Sequence, residues 1–238
     1  MRDRIGPDLH IGRLMVSHAI EDYLKAIYRL QQDGSAATTN AIAERVGVRA
    51  ASVTSMLQQL SEHGLAQYTP YKGVYLTGDG LALALRVIRR HRLIELYLHE
   101  KLGVPLERLH AEAERLEHAI SPYLEERIDM ALGYPNFDPH GDPIPSTLGE
   151  MPVRELIPLN ELPTDTPGVV RHIPDDDPDV LRYVASLGLL PDATVTITRR
   201  EPFDGPVSLR IAARDGKPDN EQVVSTAMAR LIYVSSPA

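Results

Sequence analysis

The stretch TTNAIAERVGVRAASVTSMLQQLSEHGLAQYTPYKGVYL, residues 38–76, decides the fold of the first third of the chain. Thr38, Thr39 and Asn40 supply capping oxygens for a helix over Ala41-Ile42-Ala43-Glu44-Arg45-Val46, which stops at Gly47. After a three-residue turn, Ala51-Ser52 opens a second helix that runs to about His63 and closes at Gly64. Leu65 to Leu76 then reads as two short strands around a turn at Pro70-Tyr71-Lys72-Gly73. Upstream, residues 19–32 carry Ile20, Tyr23, Leu24, Ile27, Tyr28 and Leu30 at helical spacing, and Asp33-Gly34-Ser35 ends that helix. Helix, short turn, helix and hairpin is the order of a winged helix-turn-helix, which sets one helix in a major groove and a wing along the backbone. A plain three-helix domain shares the periodicity, but the hairpin favours the DNA-binding reading.

Working outward, Ala51, Ser52, Thr54 and Ser55 stand at the start of the recognition helix, where base edges and phosphates are met, with Arg49 as the charged contact just before it. Small residues there also suit close helix packing, and for Ala51 that reading is equally open. No Gln or Asn stands in the first turn to grip adenine bidentately, so phosphates and DNA shape are expected to carry much of the affinity. Lys72, with Tyr71 and Tyr75, is a candidate backbone contact from the wing.

Thr77-Gly78-Asp79-Gly80 begins a long helix through Leu102, and its far half carries His91 and Glu95 at i, i+4. Downstream, His110, Glu114, Glu117 and His118 follow at i, i+4, i+7 and i+8. At ~100° per residue these fall within an arc of roughly 100° if the helix is continuous, and residues 104–133 read as one ligand helix with its continuation. Imidazoles and carboxylates on one stripe, in a chain without cysteine, suit a divalent transition metal such as manganese, iron or zinc. The alternative is a solvated face laced with i,i+4 ion pairs, for which Arg108 and Arg115 are available. A metallopeptidase signature is excluded: there is no H-E-x-x-H, and Arg115 stands where H-x-x-E-H would need His.

Composition narrows the class. A chain of 238 residues with 43% apolar content and no cysteine describes a multidomain globular protein with no disulfides and no thiolate metal sites. No apolar run approaches the ~20 residues that span a bilayer, and Met1-Arg2-Asp3-Arg4 is not the start of a signal peptide, so a cytoplasmic location and no membrane partner are expected. The net charge of −8 is unevenly spread. Residues 1–95 hold 12 Lys and Arg against 9 Asp and Glu, whereas residues 96–145 hold 4 against 10. The acidic excess thus surrounds the ligand stripe, and the mildly basic first third implies weak non-specific affinity for phosphates.

Beyond the ligand helix, Pro135, Pro139, Pro143, Pro145, Pro152, Pro158, Pro163 and Pro167 punctuate an extended stretch. From Gly168 the pattern turns to short β runs, at residues 168–173, 193–198, 207–212 and 231–234, with turns at Asp204-Gly205 and Asp215-Gly216. They suggest a small all-β barrel, interrupted by a helical piece over Pro178–Gly188. The expected architecture is mainly α with a small all-β domain. The boundaries are 1–85 for the winged helix-turn-helix (1–14 an extension), 86–152 for the helical metal-binding domain, 153–167 for a Pro-rich linker and 168–238 for the β-domain.

Five segments in this order resemble the diphtheria-toxin-repressor family of iron- and manganese-dependent transcriptional regulators. They are Glu21-Asp-Tyr-Leu-Lys-Ala-Ile-Tyr28, Ile42-Ala-Glu-Arg45, Arg90-His-Arg-Leu-Ile-Glu95, Glu112-Ala-Glu-Arg-Leu-Glu-His-Ala-Ile-Ser121 and Pro139-His-Gly-Asp-Pro-Ile-Pro145. The resemblance implies that the helical domain also dimerises and that the β-domain is SH3-like. It implies a primary metal site of Asp22, Glu114, Glu117 and His118. It also implies an ancillary site of His91, Glu95 and His110, completed by an acid near Asp177. Some relatives complete the second site instead from the segment before Gly-x-Pro-Ile-Pro, here Asp138 and His140, where a cysteine is common in place of Asp138. The two schemes share Glu95, and both remain open on the sequence.

Iron-type relatives carry sulfur ligands at the positions of Asp22 and Glu114, and this chain has carboxylates at both. An all-N/O site leans toward Mn(II), with Fe(II) as the alternative and other divalent ions as binders in vitro. Manganese-type members of the two-domain kind have a further acid one turn after Asp22, where this chain has Lys25, so a bridged two-metal cluster is not expected. The expected function is that of a homodimeric, metal-dependent repressor on palindromic double-stranded DNA operators of metal-homeostasis genes, and not of an enzyme. Two rivals remain: a metallohydrolase with Glu114 or Glu117 as general base, and a winged-helix regulator that answers an organic ligand.

Overall fold

Each helix of the amino-terminal region starts where its capping side chain stands. In the computed structural model, which describes residues 17–32, 34–175, 177–212 and 219–235, α1 (His18–Leu30) follows Ser17, whose side chain accepts from the Ile20 amide. The expected extension over residues 1–14 lies outside the described residues. Thr38 Oγ1 accepts from the Ala41 amide at 3.2 Å and caps α2 (Thr39–Val46), which ends at Gly47 in the left-handed conformation that a side chain resists. The recognition helix α3 (Ala50–Glu62) follows after a short turn. The hairpin pairs β1 (Ala66–Thr69) with β2 (Gly73–Leu76) in antiparallel register, and Ala37 adds a bridge to Val74. Leu24, Ile27, Ile42, Val53, Leu57, Leu60, Leu65 and Val74 close one core between the helices and the wing. The expected winged helix-turn-helix is present.

The 25-residue helix α4 (Gly78–Leu102) follows, capped by Thr77 Oγ1, which accepts from the Gly80 amide at 3.1 Å. The chain divides into two compact units, Met1–Val87 and Ile88–Ala238, so α4 begins in the first and ends in the second. Within the second unit the far half of α4 buries Leu93, Ile94, Leu96 and Leu98. The same stretch buries four polar residues, Arg89, His91, Arg92 and Glu95. Buried polar groups need partners. Arg89 donates to the Pro145 carbonyl at 2.7 Å and to Asp129 at 2.5 Å and pairs with Glu125 at 3.2 Å, which ties α4 to the helix that carries both acids.

The expected single ligand helix over 104–133 is two helices, α5 (Leu106–Leu116) and α6 (Pro122–Ala131). Pro122 disfavours helical geometry at the residue before it. Ser121 is extended, and its side chain caps α6 by accepting from the Leu124 amide at 3.2 Å. Glu117 caps the carboxy-terminal end of α5, and His118 lies in the turn beyond it.

The β-domain is a six-stranded antiparallel sheet in the order β3-β8-β4-β5-β6-β7. Its strands are β3 (Ile157–Pro158), β4 (Pro167–His172), β5 (Thr194–Arg200), β6 (Val207–Ile211), β7 (Asn220–Val224) and β8 (Tyr233–Ser235). Helix α7 (Pro178–Leu187) enters between β4 and β5, and the short α8 (Thr226–Ala229) between β7 and β8. The edge strands β3 and β7 and helix α8 were not expected. Residues 153–167, read as a linker, hold β3 and a 3-10 turn, and their Leu159 and Leu162 are fully buried in the β-domain core with Val170, Val195, Leu209 and Val234.

Candidate metal centre

Residues four apart on a helix share a face, so His91 and Glu95 project together from α4, and His110 and Glu114 from α5. The two faces meet. His91 Nε2 lies 3.1 Å from His110 Nδ1 and 3.2 Å from Glu95 Oε1, and His110 Nε2 lies 3.5 Å from Glu114 Oε1. On its other side His91 Nδ1 sits 2.5 Å from Glu117 Oε2, while Glu117 Oε1 is 3.4 Å from His118 Nε2. The end of α5 is what allows this: Glu117, fully buried, turns toward α4 beyond the last helical residue. His91, His110 and Glu114 each offer a donor atom within 4.8 Å of the others, the spacing at which one ion can be shared.

A second donor group lies deeper. Glu95, Asp138 and His140 also bring donor atoms within 4.8 Å of one another, and all three residues are buried. Asp138 Oδ1 is used up by its own loop, accepting from the amides of His140, Gly141 and Asp142 at 2.9, 3.0 and 2.9 Å. Its Oδ2 and both ring nitrogens of His140 are buried without a hydrogen-bond partner, and the equally buried Glu95 Oε1 lies 3.2 Å from His91 Nε2. Unpaired buried polar atoms are costly, and three buried residues that each bring one donor atom within 4.8 Å of the others fit a missing cation better than an apolar core. The donors are nitrogen and oxygen alone, which fits a divalent first-row ion.

The electrostatics agree. Burial alone would raise the Glu95 carboxyl, but the charge and hydrogen bond of His91, then the charges of His140 and His110, bring it down to about 2. Asp138 moves the other way. Burial, Asp142 and Glu95 hold it well above the usual carboxylate range, against the pull of Arg92 and the Asp142 backbone amide. Packed carboxylates of this kind resist joint ionisation until a cation arrives.

The remaining expected residues are placed as follows. Asp22 is half-buried on α1 in the first unit, whereas Glu114, Glu117 and His118 belong to the second. Asp177 belongs to neither donor group; it is exposed and caps α7, accepting from the Asp179 amide at 2.8 Å. Arg49, Ala51, Ser52 and Ser55 are exposed at the start of α3, and Thr54, half-buried, returns its hydroxyl to the Ala50 carbonyl at 3.3 Å. Lys72 is exposed in the wing turn beside Tyr71, whose φ is 66°. The sequence reading passed over Arg92, buried beside the deeper group with its Nη2 2.9 Å from Asp142 Oδ1. Its signal was an Arg one turn before Glu95 on the helix that also carries His91.

Comparison with known proteins accounts for nearly all of the chain. Residues 15–74 match the model of the iron dependent repressor N-terminal DNA binding domain. Residues 77–146 match the iron dependent repressor metal binding and dimerisation domain, and residues 157–236 match the FeoA domain. The chain is 35% identical over 189 residues to the iron-dependent repressor IdeR of Mycobacterium leprae, across 74% of this chain and 82% of that one. Among solved structures it resembles a manganese-dependent transcriptional repressor in complex with manganese, with TM-score 0.82 and 37% identity over 92% of this chain and 100% of that one. It also resembles ScaR with bound Cd2+, with TM-score 0.73 and 33% identity over 92% of this chain and 99% of that one.

Proposed function

This chain belongs to the iron-dependent repressor family, the diphtheria-toxin-repressor family, and is a metal-dependent transcriptional repressor; we propose that its metal is Mn(II) and that it binds palindromic operators of metal-homeostasis genes as a homodimer in the cytoplasm. The observation that carries the choice of ion is the donor set. Glu95, His91, His110, Glu114, Glu117, His118, Asp138 and His140 offer nitrogen and oxygen only. Hard oxygen ligands suit Mn(II), the weakest binder of its series, chiefly by withholding the sulfur that favours its competitors.

Two sites follow. The primary one is made by Asp22, Glu114, Glu117 and His118, and the second by Glu95, Asp138 and His140 with His91 and His110 alongside. The buried, partnerless Asp138 Oδ2 and His140 ring nitrogens support the Asp138 and His140 version of the second site, and the exposure of Asp177 makes that residue the weaker candidate. A bound divalent ion neutralises the clustered carboxylates. Asp22 on α1 then becomes a ligand shared with the end of α5, which fixes the reading head relative to the dimerisation helices. Arg49, Ala51, Ser52, Thr54 and Ser55 meet the major groove and Lys72 the backbone. Metal favours the DNA-competent arrangement only by its greater affinity for it. Against the hydrolase reading, Glu117, one of its two candidate bases, is 0% exposed, whereas the side chain of the other, Glu114, is 36% exposed.

The test is mutational. Glu117→Ala or His118→Ala is expected to abolish metal-dependent operator binding in an electrophoretic shift assay while circular dichroism stays that of the parent. His91→Ala or His110→Ala is expected only to raise the metal concentration required. Normal metal dependence in the Glu117 or His118 variant overturns the primary site.

A further inference from the structure

The end of α4, the start of α5, the loop through Phe137 and the β-domain enclose a cavity of about 410 Å³. That volume lies in the range of small-molecule pockets. Leu96, Leu106, Phe137 and Leu190 give it apolar walls, and Arg154 and Arg171 bring two positive charges to it in a chain whose net charge is −8. The Arg154 guanidinium lies over the Phe137 ring, 3.1 Å from the centroid, and its Nη1 donates to the Arg171 carbonyl at 3.4 Å. Three carboxylates also line the cavity, and each is engaged elsewhere. Asp192 pairs with Arg171, whose Nε also donates to Ser235 Oγ at 3.3 Å. Glu100 lies 3.4 Å from Lys101, and Asp138 gives Oδ1 to the amides of its own loop. Of the two arginines, Arg154 is thus the one with no carboxylate at ion-pair distance among the described residues. Burial and then the neighbouring Arg171 lower its pKa, against the pull of Asp192 and Asp138. An arginine in a protein stays charged, so both are costs that the cation carries and that a bound anion relieves.

We infer that this cavity binds a small organic monocarboxylate with an apolar body, the carboxylate on Arg154 and the body against Phe137, Leu96, Leu106 and Leu190. A guanidinium offers paired N–H donors along its edge that match the two oxygens of a carboxylate. Phe137 covers one face of the Arg154 group, which holds its plane and leaves the edge to the ligand. A hydrophilic anion such as inorganic phosphate meets the charge but leaves the apolar walls uncovered. A neutral apolar molecule covers the walls but leaves Arg154 without a counter-charge. The cavity therefore selects for both features in one molecule. Neither Arg154 nor Phe137 belongs to a metal donor group, so the site adds an organic ligand to the metal ion and stands whether or not the metal assignment does.

The test is calorimetric titration of the full chain, freed of metal on a chelating resin so that a carboxylate cannot bind through an ion. The probes are naphthoate and octanoate, the neutral alcohols with the same two bodies, and inorganic phosphate. At least one of the two carboxylates is expected to bind with a dissociation constant in the millimolar range or below. Its alcohol and phosphate are expected to bind at least about tenfold more weakly. Arg154→Gln is expected to weaken the carboxylate by at least about tenfold, and Arg154→Lys, which keeps the charge but not the planar edge, by less. Arg154 is exposed, so circular dichroism of both variants is expected to match the parent. Arg199→Gln, which removes an exposed arginine of β5 outside the cavity, is expected to leave the affinity unchanged. Absence of binding by both carboxylates at millimolar concentration overturns the inference. So does equal binding of the matching alcohol or of phosphate, or a carboxylate affinity that survives Arg154→Gln.

Discussion

Asp138 and Glu95 are neighbours in one donor group with opposite acid–base behaviour, and this has measurable consequences at the scale of single residues. Asp138, held above the usual carboxylate range by burial and by Asp142 and Glu95, keeps its proton in the metal-free protein where a free aspartate has lost it. Because the folded form then binds the extra proton, its contribution to folding stability is present at low pH and is lost as pH rises through the elevated folded value. Glu95, drawn down to about 2, contributes in the opposite sense: its share is present above the ordinary carboxylate range and lost as pH falls toward that value. Below that elevated value, a cation entering the group displaces the Asp138 proton. Calorimetric titrations of Mn(II) in two buffers of different ionisation enthalpy are expected to show proton release that falls in Asp138→Asn, with a flatter pH dependence of affinity. Equal proton release in the two proteins contradicts the assignment. Metal choice belongs to the same scale. Replacing Asp22 by Met and Glu114 by Cys introduces soft donors, and the double variant is expected to gain response to Fe(II) relative to Mn(II) in anaerobic operator-binding titrations. An unchanged ratio shows that these two positions do not set selectivity.

At the scale of elements, the winged helix-turn-helix was legible because its signals are local. Thr38 caps α2, Gly47 ends it, and Pro70 to Gly73 turns the wing. The break between α5 and α6 was not, since Leu116-Glu117-His118-Ala119-Ile120 carries no residue that stops a helix, and the relevant signal, Ser121-Pro122, acts backwards on the turn before it. That break matters for function. It lets Glu117 face His91 while His118 lies in the turn, which a continuous helix would not have arranged by stripe geometry alone. Ser121→Ala removes the α6 cap and is expected to cost about 1 kcal/mol in urea unfolding. Leu57→Ala, in the fully buried centre of the amino-terminal core, is expected to cost about 2–5 kcal/mol. A loss for Leu57→Ala below that of Ser121→Ala means that the core is not packed as described.

For the whole molecule, what the sequence concealed is what depends on distant segments. Asn220-Glu221-Gln222 lacks the apolar alternation of a strand, yet β7 forms at the sheet edge, where one partner suffices. Leu159 and Leu162 sit among prolines and read as linker, but both are buried in the β-domain core. The donor group of Glu95, Asp138 and His140 joins α4 to a loop some forty residues on, and no helical or strand period links them; only the resemblance of the Pro139 to Pro145 segment pointed there. The comparisons place the chain among repressors named for iron and for manganese, so the decisive property is metal-dependent DNA binding by the intact protein. The most direct measurement is fluorescence anisotropy of a duplex from the chain's own upstream region, titrated anaerobically with Mn(II), Fe(II) and Zn(II) after chelation. The account expects no specific binding in chelator and recovery with Mn(II) at a lower free concentration than with Fe(II). Operator binding of equal strength with and without chelator contradicts it.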